Sequence, residues 1–508
     1  MTTGLVKTIT ALGGKAVVLA ALAGAAVAQN AERVSITHHQ GNFNGQSLHY
    51  TARVQDNFVD DASGKPAASI ITIAYTRDGI GDQKKRPVIF FFNGGPGASS
   101  SPLHFGGMAP YIRTGKGGIA VPDAPGKEAA WKENPHSLID QADLVFIDPV
   151  GTGFSRPFPG NDGKYWYDGN NDAAAVQHVI ARWLKDNHRT SSPRYLAGES
   201  YGTTRAGLIL KNAPDFKYDG VMLIALVGEA HGEDMPYVVS LPTMAASAWY
   251  HNKIDRAGRT AEQVYREANE FAQTAYVSAL IRGASLPMVE KKKIAERMAA
   301  LIGLPADFIA DHNLRISKND FMFNLLKDKG LRTGLLDTRV TAVLEPGAEG
   351  AIDDPALGVV PKRPAGSEKK PIDVASLGGI PNQALKDYLD KVLNFRSDEK
   401  YIAVNFAVNA AWKYADRDER GAPSISSTDA VGAAMEKQPD LRIFWANGLY
   451  DLTTPAASGR YGLDHGGVMP ERLTAALFVG PHGVYEGEEN LIAFTNAVRD
   501  FIKAPSKH

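Results

Sequence analysis

The chain of 508 residues contains no cysteine. Disulfides, thiolate-ligated zinc, iron–sulfur clusters and a cysteine nucleophile are therefore excluded. It also lacks an excess of charge, with 55 Lys+Arg against 56 Asp+Glu and a formal net charge of −1. Such a balance gives no electrostatic basis for nucleic acid or an anionic surface as the main partner. Beyond the N-terminus no apolar run is long enough to span a bilayer. No metal-ligand motif is present, and no G-x-G-x-x-G loop follows the first strand, so nothing in the sequence asks for a metal or a nucleotide cofactor. What is present is ordinary: 44% hydrophobic and 22% charged residues. This composition excludes wholesale disorder, and the chain is long enough to bury a large core without covalent staples.

The first residues do not read as part of the fold. Lys7 and Lys15 precede an Ala/Val/Leu/Gly run from Ala16 to Ala28 that closes on Ala26-Val27-Ala28. A basic start, a short apolar stretch and an Ala-x-Ala end describe a bacterial-type secretory leader, with cleavage expected after Ala28. The run is too short for a membrane span. A periplasmic or secreted location follows as an expectation, with no span in the mature chain.

Short apolar runs closed by Gly, Pro or Asn recur along the rest of the chain. They are Ile70–Tyr75, Pro87–Phe92, Leu144–Ile147, Tyr195–Ala197, Val221–Val227, Leu441–Trp445 and Ala475–Val479. Runs of this kind are strands buried on both faces, as in a mostly parallel sheet. Helical patterns at Asp172–Asn187, Thr203–Asn212 and Glu488–Lys503 lie among them. The alternation predicts an α/β fold with helices on both faces of the sheet. It breaks between about Gly232 and Asp440, where residues 261–301 have helical spacing and 345–382 are rich in Pro and Gly. We expect a leader over 1–28, a core in two parts (29–231 and 441–508), and a mainly helical cap or lid inserted at 232–440.

Gly198-Glu199-Ser200-Tyr201-Gly202 matches G-x-S-x-G. With 50 Gly in the chain the bare pattern arises easily by chance. Here a strand pattern precedes it and a helical pattern follows, which is the context of a nucleophile elbow. A serine hydroxyl needs a base within hydrogen-bond reach and a third group to orient that base. In α/β-hydrolases those partners follow in the order acid, then His. Asp451 stands just past the strand at 441–446, and His482 just past the strand at 475–479. His465, beside Asp464, is a weaker candidate in a polar connection, while His104 and His136 precede the serine and break the order. An oxyanion needs N–H donors. The N–H of Tyr201 is one candidate, and the loop Asn93-Gly94-Gly95-Pro96-Gly97 is placed to supply another.

Taken together, Asn93-Gly94-Gly95-Pro96-Gly97-Ala98-Ser99-Ser100, Asp148-Pro149-Val150-Gly151-Thr152-Gly153-Phe154-Ser155, Gly198-Glu199-Ser200-Tyr201-Gly202 and Asn447-Gly448-x-x-Asp451 resemble the serine carboxypeptidase family. Asn134-Pro135-His136-Ser137 resembles the segment before that family's Asp-Pro strand. The resemblance covers about residues 70–228 and 440–505. It implies an α/β-hydrolase fold, no cofactor, and release of C-terminal residues from peptides, best at acid pH. Carried over, Ser200 is the nucleophile, His482 the base and Asp451 its orienting acid. Gly95 and Tyr201 would form the oxyanion hole, while Asn93, the Gly94 N–H and Glu199 would hold the substrate's terminal carboxylate. Departures are visible. Ala98 stands where eukaryotic members carry Cys, Thr203-Thr204 replaces a Gly-rich continuation, and Gly480-Pro481-His482-Gly483 lacks the Gly-His-Met of many relatives. The second acid used on the terminal carboxylate is missing from His104-Phe105-Gly106-Gly107-Met108.

An esterase or acyltransferase acting on acyl esters would use the same triad, and a binding protein with an inert cleft is the reading from another class. Trp166 with Tyr165 and Tyr167 fits a substrate pocket or core packing equally well. Lys291-Lys292-Lys293 reads as a solvated helix face.

Overall fold

The computed structural model describes residues 31–114, 130–228, 232–344, 354–357, 377–417, 423–424 and 426–504. The leader expected at 1–28 lies outside the described residues. Among those described, no helix is long and apolar enough to cross a membrane.

One ten-stranded sheet carries the molecule. Its main strands are β1 (Val34–Phe43), β2 (Gln46–Asp60), β3 (Pro66–Arg77), β4 (Val88–Phe92), β5 (Asp143–Asp148), β6 (Arg194–Glu199), β7 (Gly220–Ile224), β8 (Arg442–Gly448) and β9 (Leu473–Phe478). They lie side by side in the order β1-β2-β3-β5-β4-β6-β7-β8-β9, with the short Arg156–Pro157 strand on β3. From β5 to β9 every pairing is parallel. The first three strands are antiparallel to each other, and β3 is antiparallel to β5.

The continuous apolar runs have a simple cause. Successive side chains of a strand point to opposite faces. Val88, Phe90 and Phe92 enter one core, and Ile89 and Phe91 enter the other. In the same way Val221 and Leu223 face one side, and Met222 and Ile224 the other. Burying each of these side chains is worth roughly 1.5–3 kcal/mol. On the first face lie α1 (Gly169–Asp186) and α2 (Tyr201–Asn212). Asp168 caps α1 by accepting from the N–H groups of Asn170 and Asn171. The helices expected at 172–187, 203–212 and 488–503 are thus present, with ends shifted by no more than a few residues.

Between β7 and β8 the chain forms α3 (Met235–Tyr250) and further helices at Ala261–Phe271, Val277–Arg282, Met288–Ile302, Ala306–Asp311 and Lys318–Asn324. These build a cluster of their own around Leu241, Val264, Met298, Leu301 and Phe321, which also takes in Leu452 from the loop after β8. Later in the same stretch, α4 (Gln383–Lys391) packs Leu385, Tyr388 and Leu389 into one core of the sheet. Then α5 (Thr428–Lys437) packs Val431, Ala434 and Met435 into the other. After β8 come α6 (Ala456–His465) and, at the C-terminal end, α7 (Glu488–Lys503).

Two features depart from the expected pattern. The β1–β2 hairpin has no apolar run to announce it, because β1 alternates between exposed and half-buried positions over most of its length. The strand at the C-terminal end lies at the sheet edge, so most of β9 is exposed or half-buried instead of being buried on both faces.

Beneath the sheet, at the start of β5, Asp143 is buried between two guanidinium groups. Arg86 Nε donates to Asp143 Oδ1 at 2.7 Å, and Arg189 Nη1 donates to Asp143 Oδ2. Arg189 also donates to the Arg86 carbonyl at 2.6 Å. Removing one member of such a cluster strands the others without a partner. Asp143→Ala is expected to lower stability by about 3–5 kcal/mol. Urea unfolding checks this, and a loss under about 1 kcal/mol would reduce the cluster to the level of a surface bridge.

Candidate active site

Ser200 sits between β6 and α2 with φ +59° and ψ −129°, a backbone shape that L-residues rarely adopt. Holding it costs about 1–3 kcal/mol. The surroundings over-determine the turn. Ser200 N–H donates to the Ile224 carbonyl at 3.0 Å. The Ser200 carbonyl accepts from Thr203 N at 2.8 Å and from Thr203 Oγ1 at 2.7 Å. Thr203 Oγ1 in turn accepts from Val227 N at 3.2 Å. The Thr in place of a Gly-rich continuation is therefore a lock on the turn. Both flanking glycines are required. A Cβ on Gly198 would collide with the Gly202 carbonyl, and one on Gly202 would come within 2.7 Å of the Phe92 carbonyl oxygen.

Asp451 and His482 follow the ends of β8 and β9, which lie two and three strands away from β6. Gly448 lets their loops close on each other, since a Cβ there would strike the Pro481 carbonyl. Asp451 is fully buried. Its Oδ1 accepts from Thr454 N at 2.9 Å, and its Oδ2 accepts from Thr454 Oγ1 at 2.5 Å. The same Oδ2 lies 2.8 Å from His482 Nδ1, which fixes the ring and leaves Nε2 as the nitrogen for proton transfer. Asn447 steadies the base of the loop, donating to the Thr454 carbonyl at 2.8 Å and accepting from Leu226 N at 3.2 Å.

A second support comes from the stretch between β7 and β8, and no motif announces it. Leu335 O accepts from Leu452 N at 2.8 Å, and Leu336 O accepts from His482 N at 2.8 Å. Thr338 N donates to Tyr450 O at 3.0 Å. Asp354 holds this segment from behind, its carboxylate accepting from Leu335 N at 3.0 Å and Leu336 N at 2.7 Å. Residues 335–338 thus bind the acid loop and the histidine loop together. Lys318, from the same stretch, donates to Thr453 O at 2.8 Å; burial brings its pKa down to about 8, against the pull of the Asp451 charge.

The Asn93–Gly97 loop lies against the start of α2. A Cβ on Gly94 would collide with Tyr201 N, so the backbone at Gly94 meets the Tyr201 amide closely. Asn93 is held on three sides. Its Nδ2 donates to Glu199 Oε1 at 2.7 Å, its Oδ1 accepts from Leu103 N at 3.1 Å, and its carbonyl accepts from Arg205 Nη1 at 2.6 Å. Arg205 is itself paired with Asp172 at 2.6 Å. Glu199 takes a second partner that sequence reasoning missed: Tyr485 O–H donates to its Oε2 at 2.8 Å.

Burial pushes the Glu199 carboxyl up to about 7, aided by the Asp451 charge and opposed by His482, Tyr485 and Asn93. For His482 burial acts downward, but the Asp451 carboxylate, with Glu199 and Glu486, outweighs it and lifts the imidazole to about 9. Glu199 and His482 therefore feel each other's charge across the serine turn.

Further aromatic residues border this site. Trp412 Nε1 donates to Tyr201 O–H at 3.0 Å, and the Trp412 and Tyr414 rings meet the Tyr201 ring edge-on. Of the other sequence candidates, His465 bonds back to Tyr461 O on the surface of α6, and His104 is stacked in the core against Phe105 and Phe146. Trp166 is a core residue, packed edge-on to Tyr165. Lys292 and Lys293 are exposed on their helix.

Residues 75–257 match the family model described as serine carboxypeptidase. A venom serine carboxypeptidase of Apis mellifera is 26% identical over 188 residues, which are 37% of this chain and 37% of that protein. The match therefore spans little more than a third of the curated relative. The structure of the prohormone-processing carboxypeptidase Kex1(Δ)p from Saccharomyces cerevisiae superposes with a TM-score of 0.53. It is 15% identical, with 89% of this chain and 91% of that chain covered. An esterase from Rhodococcus sp. gives a TM-score of 0.37 at 14% identity, with 89% of this chain and 99% of that chain covered. This chain has the α/β-hydrolase fold, and over residues 75–257 it carries the serine carboxypeptidase pattern.

Proposed function

We propose that the protein is an exported serine carboxypeptidase that releases C-terminal residues from peptides through an acyl-enzyme on Ser200. The observation that carries this reading is the Asn93–Glu199 clamp beside the serine turn. A buried carboxyl lifted toward neutrality next to a nucleophile suits recognition of a second carboxylate, because two adjacent anions would repel. Export rests on the leader pattern ending at Ala28.

In this reading the substrate's terminal carboxylate docks on Asn93, the Gly94 N–H and protonated Glu199. His482 Nε2 takes the Ser200 Oγ proton as Oγ attacks the scissile carbonyl carbon. The N–H groups of Gly95 and Tyr201 stabilise the oxyanion. As the tetrahedral intermediate collapses, the C–N bond breaks and His482 gives its proton to the leaving amine. Water then attacks the ester, with His482 again as base, and the acid product leaves. Asp451 keeps the imidazole oriented and offsets its charge. Acyl transfer to an alcohol, or hydrolysis of an ester, would use the same groups. The absence of an acid in 104–108 favours keeping that alternative in the test.

A peptide with a free C-terminal carboxylate and its C-amidated twin separate these readings. Mass spectrometry is expected to show loss of one residue from the free acid, little from the amide, and at least a 1,000-fold loss of rate in Ser200→Ala. Cleavage of simple esters with both peptides intact would overturn the peptidase reading.

Two pH effects follow from the charges. Neutral Glu199 is the binding form, so KM for a free-acid peptide is expected to rise as pH passes upward through about 7. A KM that stays flat from pH 5 to 8 would remove Glu199 from substrate recognition. The negative charge of Glu199 is also one of the groups that raise His482. Removing it in Glu199→Gln lowers the pH above which the imidazole is free to act as base. The acid limb of kcat/KM on a substrate without a terminal carboxylate should move down in pH; an unmoved limb would show that the two groups are not coupled.

A further inference from the structure

The loop His104–Met108, where the resemblance places a second acid, is not vacant space. Its backbone is pinned by Asn134, whose Nδ2 donates to Gly107 O at 2.6 Å and Ala109 O at 2.9 Å, and by Ser137 Oγ, which donates to Met108 O at 2.8 Å. Onto this loop folds the ring of Tyr485, three residues after the candidate base. A Cβ on Gly107 would come within 2.9 Å of Tyr485 Cδ2, so only glycine lets the ring lie there. From that seat the buried hydroxyl reaches Glu199 Oε2 at 2.8 Å, while Asn93 donates to Oε1. Both oxygens of the recognition carboxyl are thus engaged by groups that carry no charge.

We propose that Tyr485 is the positioning residue that stands in for the missing second acid: its hydroxyl donates to Glu199, stabilises the ionised carboxyl, and so sets the pH at which the site stops accepting a substrate carboxylate. The inference rests on the reading of Glu199 as the carboxylate-recognition residue. Its chemical consequence differs from that of an acid pair. Two carboxyls side by side share a proton and hold one member neutral. A phenol has one hydrogen to give and, kept protonated by burial and by the Glu199 charge, adds no negative charge of its own. It favours the anion of Glu199, and the site is turned off at a lower pH than the same carboxyl without it. The charged groups acting on Glu199 are His482 from the loop after β9, Asp451 from the loop after β8, and Glu486 beside Tyr485.

The test is the pH profile of KM for an N-blocked dipeptide with a free carboxylate, set beside that for the corresponding blocked amino-acid ester, which has none. Wild type, Tyr485→Phe and Glu199→Gln are compared. In Tyr485→Phe the midpoint of the KM rise on the free acid is expected to move up by about one to two pH units, the effect of one lost hydrogen bond to a carboxylate. The ester's KM should show no such transition. A midpoint that stays put in Tyr485→Phe, while Glu199→Gln abolishes the transition, would overturn the role of Tyr485 and leave Glu199 in place. A transition that survives in Glu199→Gln would overturn the carboxylate reading and this inference with it. If Tyr485→Phe does not fold, 3-fluorotyrosine placed at 485 alone supplies a more acidic, stronger donor. The midpoint should then move down, and an unmoved midpoint overturns the proposal.

Discussion

The close approach of backbone at the Ser200 turn is the constraint on which the site depends. Ser200 is held at positive φ, with Gly198, Gly202 and Gly94 all lying where a methyl group would meet main-chain atoms. That crowding brings the end of β4, the end of β6 and the start of α2 into one knot. The Asn93–Gly97 loop is placed against the Tyr201 amide by the same packing. The strain is small beside the burial that secures it, because β4 and β6 sit mid-sheet with both faces covered.

Electrostatics is the second organising principle. Glu199 and His482 are buried beside the Asp451 carboxylate, and the proton state of each depends on the other. Asp451 meets its charge with three hydrogen bonds, two from Thr454 and one shared with His482. Glu199 has two neutral partners, Asn93 and Tyr485. Of the two buried carboxyls, Glu199 is the one that burial poises to gain a proton. Deeper in the structure, Arg205 bridges from Asp172 to the Asn93 carbonyl and carries the rigidity of α1 and α2 into the loop.

The stretch between β7 and β8 has two kinds of relation to the sheet. Its helices pack largely on themselves, whereas α4 and α5 complete the two cores. Residues 335–338, braced by Asp354, join the acid and histidine loops directly. Trp412 and Tyr414 bring further surface of this stretch to Tyr201.

By itself the sequence determined the parts whose signal is local. Buried parallel strands must be apolar on both faces, so β4, β5, β6, β7 and β8 stand out as runs; a tight strand–turn–helix demands Gly around Ser200; and chain order singles out Asp451 and His482. The β1–β2 hairpin carried a local mark as well, in Asn44-Gly45, where both residues have positive φ as a two-residue turn requires. Its strands lacked a run because β1 has no fully covered face. Tertiary structure alone decided that Tyr485 reaches Glu199, that Leu336 receives the His482 amide, and that Trp166 is core. These are meetings of residues 286, 146 and more positions apart in sequence or of side chains with no motif. A hydrogen bond between distant segments leaves no periodicity in either, so only the folded sheet, which fixes where each loop ends, could select them.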